Sequence, residues 1–274
     1  LGLVHDGDDQ DLPIRVGDDP AEAAIPLGPQ LFGGLLEPLG LVVVAAAGWL
    51  LLFDPEATID RLLKGADNGD ALILDLEDSV ADERQVIARE MTCACLKERS
   101  DRSKQQLWVR INPLDNPLSL PDLAAVMPGA PNGIVLPKVY SSDEVNLLSD
   151  YLDILEVSHG LEKGSTKIHC VATETAASLL TFHTYLDGVS DRLVAMTWGG
   201  EDLAAALGAS DNKHPVTGEY DAPFEFARTM CLATSRAIEA QPVGVVWVNY
   251  KDLDGLEADC LKDRKAGFIG KIAI

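Results

Sequence analysis

Short apolar runs alternate with longer amphipathic segments along the chain, from about residue 48 to its last residue. Each run is nearly continuous in hydrophobic side chains, which is typical of strands that are buried on both faces of a parallel sheet. Strands that alternate with helices indicate repeated βαβ units. We identify eight such runs, at residues 49–53, 71–74, 107–111, 133–136, 168–172, 193–197, 243–248 and 271–274.

The segments between these runs have the features of helices. Pro55 lies at an early position of one such segment, where proline is tolerated. Ser141 and Ser142 precede two acidic residues, a combination that caps a helix and suits the positive end of its dipole. The predicted helices include residues 55–64, 81–99, 222–240 and 253–266, and a further helix that starts at Ser141.

Eight strands in roughly 227 residues predict an α/β protein with the TIM (β/α)8 barrel fold, for which about 250 residues are typical. The alternative is a doubly wound open sheet. A Gly-rich dinucleotide-binding turn does not follow the first run, and this disfavours the open sheet. The last run stops at Ile274 with no helix after it, so we expect a barrel that lacks its last helix and C-terminal arm.

The charge of the chain excludes two classes of partner. The 44 acidic and 22 basic side chains give a net charge of −22 over 274 residues. Nucleic-acid binding and docking to anionic membranes both require clustered Lys and Arg, and neither is expected. The five cysteines form no disulfide framework and no CxxC zinc motif, which favours reduced thiols and a cytoplasmic location.

The first 47 residues differ from the rest. They carry eight acids and one base, Arg15, so neither a secretory signal nor an Arg-rich transit peptide is expected. If the source is a eukaryote, the mitochondrial matrix is the expected location, although the sequence contains no transit peptide that would direct the chain there. The apolar stretch 39–53 has 15 residues, fewer than the roughly 20 that span a bilayer, which makes a membrane span unexpected. We divide the chain into a leader, 1–47, which is either disordered or a mis-assigned start, and a barrel, 48–274.

In a (β/α)8 barrel the active site lies at the carboxyl ends of the strands. The second run is followed by three carboxylates, Asp75, Glu77 and Asp78. Strand alternation places Asp75 and Glu77 on one face. This cluster predicts a functional site; the alternative is that Asp78 and Ser79 cap the next helix.

Two basic residues follow the next strands. Arg110 lies inside an apolar run, where an unpaired charge is costly. Its planar guanidinium suits a substrate carboxylate or phosphate, or a salt bridge to Asp75 or Glu77. Lys138 follows the fourth run, and either substrate binding or neutralisation of the strand-two carboxylates explains it equally well.

Glu174 and Asp202 follow the adjacent fifth and sixth runs, so their carboxylates can converge. Two hard oxygen ligands with no His or Cys nearby predict an Mg²⁺ site. The alternative is that Asp202 caps a helix while Glu174 pairs with Arg110. Gly199 and Gly200 let the backbone approach a ligand closely.

Seven motifs in one register resemble the citrate lyase β-subunit (CitE-like) family of the HpcH/HpaI aldolase group. The resemblance extends over residues 48–274. The motifs are Asp-Leu-Glu-Asp-Ser-Val at 75–80, Val-Arg-Ile-Asn at 109–112, Val-Leu-Pro-Lys-Val at 135–139, Glu-Thr-Ala at 174–176, Gly-Gly-Glu-Asp-Leu at 199–203, Lys-Asp-Leu-Asp-Gly-Leu at 251–256 and the run 267–274.

The resemblance implies a (β/α)8 barrel that assembles as a homotrimer or homohexamer. It also implies that Glu174 and Asp202 hold Mg²⁺. Arg110 would bind a substrate carboxylate or thioester oxygen, and Glu77 and Asp78 would orient metal-bound waters and Lys138. The backbone of Gly200 and Glu201 would contact the keto-acid carboxylate. The implied substrate-binding set is Arg110, Glu174, Lys138, Gly200 and Glu201.

The implied reaction joins or splits an acyl-CoA and a 2-oxo acid, with malyl-CoA, citramalyl-CoA or citryl-CoA as the cleaved substrate. Two alternatives remain, a thioesterase that acts on the same acyl-CoA and a catalytically impaired ligand-binding remnant. The sequence departs from the family pattern at three points, and the last of them, the missing C-terminal arm, motivates the second alternative. The region 49–55 lacks the family's Arg and Gly, Gly244 stands where relatives often have Asp, and the family's C-terminal arm is missing.

Overall fold

A computed structural model describes residues 42–45, 69–249 and 251–273. Eight parallel strands in this part of the chain pair in chain order, and the first also pairs with the last, so that the sheet is a closed barrel. The open-sheet alternative is therefore wrong. The strands are β1 Val42–Ala45, β2 Ala71–Asp75, β3 Gln106–Arg110, β4 Gly133–Leu136, β5 Lys167–Val171, β6 Leu193–Thr197, β7 Gln241–Trp247 and β8 Gly270–Ala273.

Helices surround the curled sheet, and the sequence predicted most of them. They are α1 Gln85–Glu98, α2 Ser119–Val126, α3 Ser142–Ser158, α4 Gly200–Leu207, α5 Ala222–Ala237 and α6 Leu253–Ala266. Ser141 caps α3 as expected, because its side chain accepts a hydrogen bond from the Asp143 N–H while Glu144 accepts one from the Ser141 N–H. After β5 the chain forms two short 3₁₀ helices, Ser178–Leu180 and Phe182–Asp187.

The first strand differs from the prediction. It is Val42–Ala45, and its residues pair with Ala71–Leu74 of β2 and with Ile272 and Ala273 of β8. The predicted strand 49–53 and the predicted helix 55–64 lie outside the described residues. Three consecutive β-branched valines favour the strand at this point, whereas the uniform apolar stretch 39–53 gives no boundary by which a sequence pattern could place it.

The barrel begins before residue 48, where the sequence placed its start, because β1 lies at Val42–Ala45 within the predicted leader. The status of the rest of the leader and the lack of a last helix after β8 stay predictions. Within the described residues, the structure has no helix of the length and apolar character that crossing a bilayer requires.

Strand alternation divides the apolar side chains into two layers. One layer fills the barrel interior, where the side chain of Trp108 packs over Gly133; a Cβ on that glycine would lie 2.2 Å from the indole ring. The other layer packs between the strands and the helices and includes Leu72, Leu74 and Leu76. The interior layer forms the floor beneath the carboxyl ends of the strands.

A buried ion pair joins α3 to the start of β6, away from those strand ends. The Glu156 carboxylate accepts hydrogen bonds of 2.7–2.8 Å from the Arg192 guanidinium and from the backbone N–H groups of Gly164 and Thr166. Burial alone would raise the pKa of Glu156, but the bonds from Arg192, Thr166 and Gly164 outweigh burial and lower it to about 2.

This pair predicts an acid-sensitive contribution to stability. The folded-state pKa of Glu156 lies below its unfolded value, so the contribution is complete above about pH 5 and is lost as pH falls toward 2. The pKa difference corresponds to about 3 kcal/mol. We expect the stability difference between wild type and Glu156→Gln, measured by urea unfolding, to stay nearly constant from pH 6 to pH 5 and to shrink from pH 5 to pH 3.5. A difference that stays constant over this range would contradict the assignment.

Candidate active site

The polar residues that the sequence singled out converge at the carboxyl ends of the strands. Asp75 ends β2 and Arg110 ends β3, while Lys138 and Glu174 follow β4 and β5 within three residues. A cavity opens here, and its polar lining comes from Ser79, Arg110, Glu174, Thr197 and the segment 199–202. Apolar side chains form the rest of its wall, namely Ile73, Val135, Val171, Trp198, Val245, Val246 and Ile272.

Arg110 is fixed by a bidentate salt bridge. Its Nε and Nη2 lie 2.7 and 2.6 Å from the two oxygens of Asp75, which is fully buried, and Arg110 and Asp75 are paired across β2 and β3. Burial would raise the pKa of Asp75, but the hydrogen bonds and charge of Arg110 outweigh it and lower that pKa. Arg110 therefore makes the predicted salt bridge and also lines the cavity.

Glu77 lies between Arg110 and Lys138. Its Oε2 is 3.0 Å from Arg110 Nη1, a distance typical of an ion pair. The two atoms are not aligned as a hydrogen bond, and Oε2 accepts no hydrogen bond from any other described residue. Its Oε1 accepts a 2.5 Å hydrogen bond from Lys138 Nζ. Burial raises the pKa of Glu77 to about 6 although both cations oppose the rise. The Glu77 carboxylate therefore has a cation on each side, Arg110 on one and Lys138 on the other.

Lys138 neutralises the carboxylates that follow β2, which was one of its two predicted roles. Its Nζ lies 3.0 Å from Asp78 Oδ1 and 4.0 Å from Asp202 Oδ1. Burial would lower the pKa of Lys138, but Glu77 and Asp78 outweigh it and raise that pKa. The alternative that Asp78 and Ser79 cap a helix is wrong, because the next helical segment starts at Asp82 after an N-cap of Ala81 with no side-chain cap.

Glu174 is a buried carboxylate whose side chain accepts a hydrogen bond from the backbone. Its Oε2 is 2.6 Å from the N–H of Lys138, which has a left-handed backbone (φ 52°) that is rare for residues other than glycine. Burial raises the pKa of Glu174 to about 8; the nearby Asp202 and Glu77 add to the rise, and Arg110 and the Lys138 N–H offset only part of it. Burial and the two neighbouring carboxylates therefore both disfavour the ionised form of Glu174.

The alternatives weighed for Glu174 and Asp202 do not occur. The ion pairs of Arg110 go to Asp75 and Glu77 rather than to Glu174. Helix α4 is preceded by Gly199 as N-cap, without a side-chain cap, and Asp202 lies in its first turn. Both carboxylates instead line the same cavity.

This pair of carboxylates fits a hard divalent cation. Mg²⁺ is commonly bound by one or two carboxylates and completes its coordination with water or substrate oxygens. A cation beside Glu174 would favour the ionised form of this carboxyl, which burial and the neighbouring carboxylates disfavour. Among the described residues, no group of three or more His, Cys, Asp or Glu side chains is arranged to hold a metal ion.

The loop between β6 and α4 closes one side of the cavity. A Cβ on Gly199 would lie 2.6 Å from Glu174 Cγ, so only glycine leaves room for that carboxylate. Gly200 and Glu201 form the first turn of α4, whose backbone N–H groups suit an anion. Trp198 is buried beneath them and packs edge-on against Tyr220, with ring centroids 4.8 Å apart.

Two supporting residues were not foreseen. The Thr173 hydroxyl accepts a 2.9 Å hydrogen bond from the N–H of Gly199, and the Asn212 amide donates a 2.9 Å hydrogen bond to Glu201 Oε1. Thr173 stands next to Glu174 and could have been found by its position at the strand end. Asn212 lies in the loop after α4, and the sequence contains no pattern that connects it to the site.

Three comparisons with known proteins fit this arrangement. Mitochondrial citramalyl-CoA lyase of Rattus norvegicus is 30% identical over 214 residues, which are 75% of this chain and 61% of that protein, so the chain spans less than two thirds of this relative. The (3S)-malyl-CoA thioesterase of Cereibacter sphaeroides is 29% identical over 205 residues, covering 75% of this chain and 65% of that protein. The crystal structure of CitE from Mycobacterium tuberculosis with magnesium and pyruvate has a TM-score of 0.66 and 25% identity, covering 86% of this chain and 85% of that one.

The resemblance inferred from the seven motifs is confirmed. The family model described as HpcH/HpaI aldolase/citrate lyase matches residues 49–274, which include strands β2–β8 and the strand ends described above. The chain belongs to the HpcH/HpaI aldolase/citrate lyase family.

Proposed function

We propose that this protein is an Mg²⁺-dependent carbon–carbon lyase. Its substrate is a 3-hydroxyacyl-CoA of the malyl-CoA, citramalyl-CoA or citryl-CoA class, and its products are an acyl-CoA and a 2-oxo acid. The observation that carries the proposal is the convergence of Glu174 and Asp202 beside Arg110 in one cavity at the carboxyl ends of the strands. The lyase relative and the CitE structure with magnesium and pyruvate support it.

Glu174 and Asp202 would hold the metal, and the apolar walls of the cavity would exclude water. Mg²⁺ bound there supplies a Lewis acid that polarises the oxygen at the carbon where the bond breaks. The backbone of Gly200 and Glu201 would bind the carboxylate of the 2-oxo acid through the first turn of α4. Glu77 and Asp78 would orient the cation of Lys138, whose Nζ they contact directly.

Cleavage develops negative charge that Arg110 is placed to offset. The bond between the thioester α-carbon and the hydroxyl-bearing carbon breaks, and its electron pair passes to the thioester to form an enolate. The hydroxyl group loses its proton as it becomes the carbonyl of the 2-oxo acid, and the enolate carbon takes up one proton. The reaction is redox-neutral and needs no co-reactant. A guanidinium fixed in place by Asp75 stabilises such charge without reorganising.

A thioesterase is the second candidate, because one relative has that activity. It would cleave the carbon–sulfur bond of the same acyl-CoA by adding water. The two reactions leave different products from malyl-CoA, glyoxylate and acetyl-CoA for a lyase, and free malate and CoA for a thioesterase.

Product analysis with malyl-CoA and citramalyl-CoA tests the proposal. We expect a 2-oxo acid in equal amount to acetyl-CoA when Mg²⁺ is present, and no product when EDTA removes the metal. Free malate would instead identify a thioesterase. Binding of pyruvate or glyoxylate with no turnover of either CoA ester would identify the ligand-binding remnant. The homotrimeric or homohexameric assembly and the cytoplasmic location stay predictions.

A further inference from the structure

The first turn of α4 contains an electrostatic conflict. On the proposed function, its backbone N–H groups receive the carboxylate of a 2-oxo acid. The same turn carries Glu201, a residue that lines the cavity and whose carboxylate has the same sign of charge as the ligand. A flexible Glu201 side chain could bind these N–H groups itself or repel the ligand, because like charges at short range disfavour each other. The site therefore needs a residue that controls this side chain.

Asn212 makes the contact that controls it. Its Nδ2 donates to Glu201 Oε1 at 2.9 Å, and the residue is 6% exposed, outside the lining of the cavity. An amide is a neutral donor, so it fixes the direction of the carboxylate without placing a positive charge beside the ligand. The same Nδ2 atom would lie 3.5 Å from a Cβ on Gly200, so Asn212 also packs against the turn.

The loop that carries Asn212 is itself held at both ends. The backbone N–H of Asn212 donates to Asp211 Oδ1 at 2.7 Å, and its carbonyl accepts a 3.1 Å hydrogen bond from the Asp221 N–H. Lys213 and Tyr220 pair as an isolated antiparallel bridge, and Tyr220 packs on Trp198. The Asn212 side chain is therefore presented to Glu201 by a closed loop.

We infer that Asn212 is a positioning residue for the 2-oxo acid subsite: it holds the Glu201 carboxylate toward the loop and leaves the first turn of α4 free to bind the substrate's carboxylate. The inference rests on the proposed function. It concerns the affinity for the 2-oxo acid and not the affinity for Mg²⁺, because the hydrogen bonds of Asn212 go to Glu201, Asp211 and Asp221.

Calorimetric titration of the full chain with pyruvate and glyoxylate, at saturating Mg²⁺, tests the inference. In Asn212→Asp the hydrogen bond is lost and two carboxylates face each other, so we expect the Kd for both acids to rise about tenfold or more, the size of one lost hydrogen bond to a charged group. In Asn212→Ser the side chain is too short to reach the Glu201 carboxylate, but it adds no charge, so the Kd for both acids should rise by a smaller factor. The Kd for Mg²⁺ should stay unchanged in both variants.

A double variant separates positioning from general damage. In Glu201→Gln/Asn212→Asp the donor and acceptor are exchanged, because the glutamine amide can donate to the aspartate. We expect this variant to recover a Kd within about threefold of wild type, since the hydrogen bond and the single negative charge are both restored. Unchanged Kd values in folded Asn212→Asp and Asn212→Ser, or a double variant as weak as Asn212→Asp, would overturn the inference. Wild-type protein that binds neither acid would instead overturn the proposed function.

Discussion

Replacing Glu174 by Gln is expected to weaken Mg²⁺ binding by about 100-fold or more, beyond the 10–100-fold that outer-shell residues typically contribute. Glutamine keeps the shape of the side chain and can still accept the hydrogen bond from the Lys138 N–H, but it removes one of the two charges available to the metal. Calorimetric titration of wild type and variant with Mg²⁺ measures the change. Turnover of the CoA ester should fall with metal occupancy.

The same substitution should not destabilise the metal-free protein. Burial and the neighbouring carboxylates disfavour the charged form of Glu174, so a neutral side chain removes an unfavourable interaction. We expect the Tm of metal-free Glu174→Gln to equal or exceed that of wild type. Glu219→Gln is the matched control, because Glu219 is exposed and pairs with Lys262 outside the cavity. Equal Mg²⁺ affinity in wild type and Glu174→Gln would refute the metal assignment.

Replacing Arg110 by Met should impair stability and turnover together. Asp75 is fully buried and would lose the partner of its bidentate salt bridge, and breaking a buried pair in this way typically costs about 3–5 kcal/mol. Loss of the cation should also lower kcat by about 100-fold to 1,000-fold, the range found when one group that stabilises transition-state charge is removed. Urea unfolding and steady-state kinetics measure the two effects.

The double variant Asp75→Asn/Arg110→Met separates the effect on stability from the effect on turnover. It removes the buried charge together with its partner, so most of the lost stability should return, while kcat should stay as low as in Arg110→Met. If kcat recovered with stability, Arg110 would have only a structural role. If Arg110→Met alone were as stable as wild type, the salt bridge between Arg110 and Asp75 would make no net contribution to the free energy of unfolding.

The sequence predicted the strands β2–β8 because each is a short apolar run bounded by polar or turn residues. It could not place β1, since Val42–Ala45 lies inside a longer apolar stretch without internal boundaries. The barrel followed from the count and alternation of these runs, and the closure by β1 is a long-range pairing that no local pattern specifies.

Most site residues were predictable because a barrel collects strand-end residues at one mouth. Local sequence patterns could not show which of these charged side chains form ion pairs with one another. The sequence left three carboxylates as possible partners of Arg110, and in the structure it pairs with two of them, its cross-strand neighbour Asp75 and Glu77. Asn212 was missed because its contact with Glu201 depends on how the loop after α4 folds back, and only the tertiary structure determines that.

The location of a divalent cation tests the central claim most directly. Mn²⁺ takes the same oxygen ligands as Mg²⁺, and its anomalous scattering identifies it in a crystal of the full chain grown with Mn²⁺ and pyruvate. We predict one anomalous peak in contact with the carboxylates of Glu174 and Asp202, with the pyruvate carboxylate at the first turn of α4. A peak on other residues, or bound pyruvate with no peak between these two carboxylates, would contradict the account.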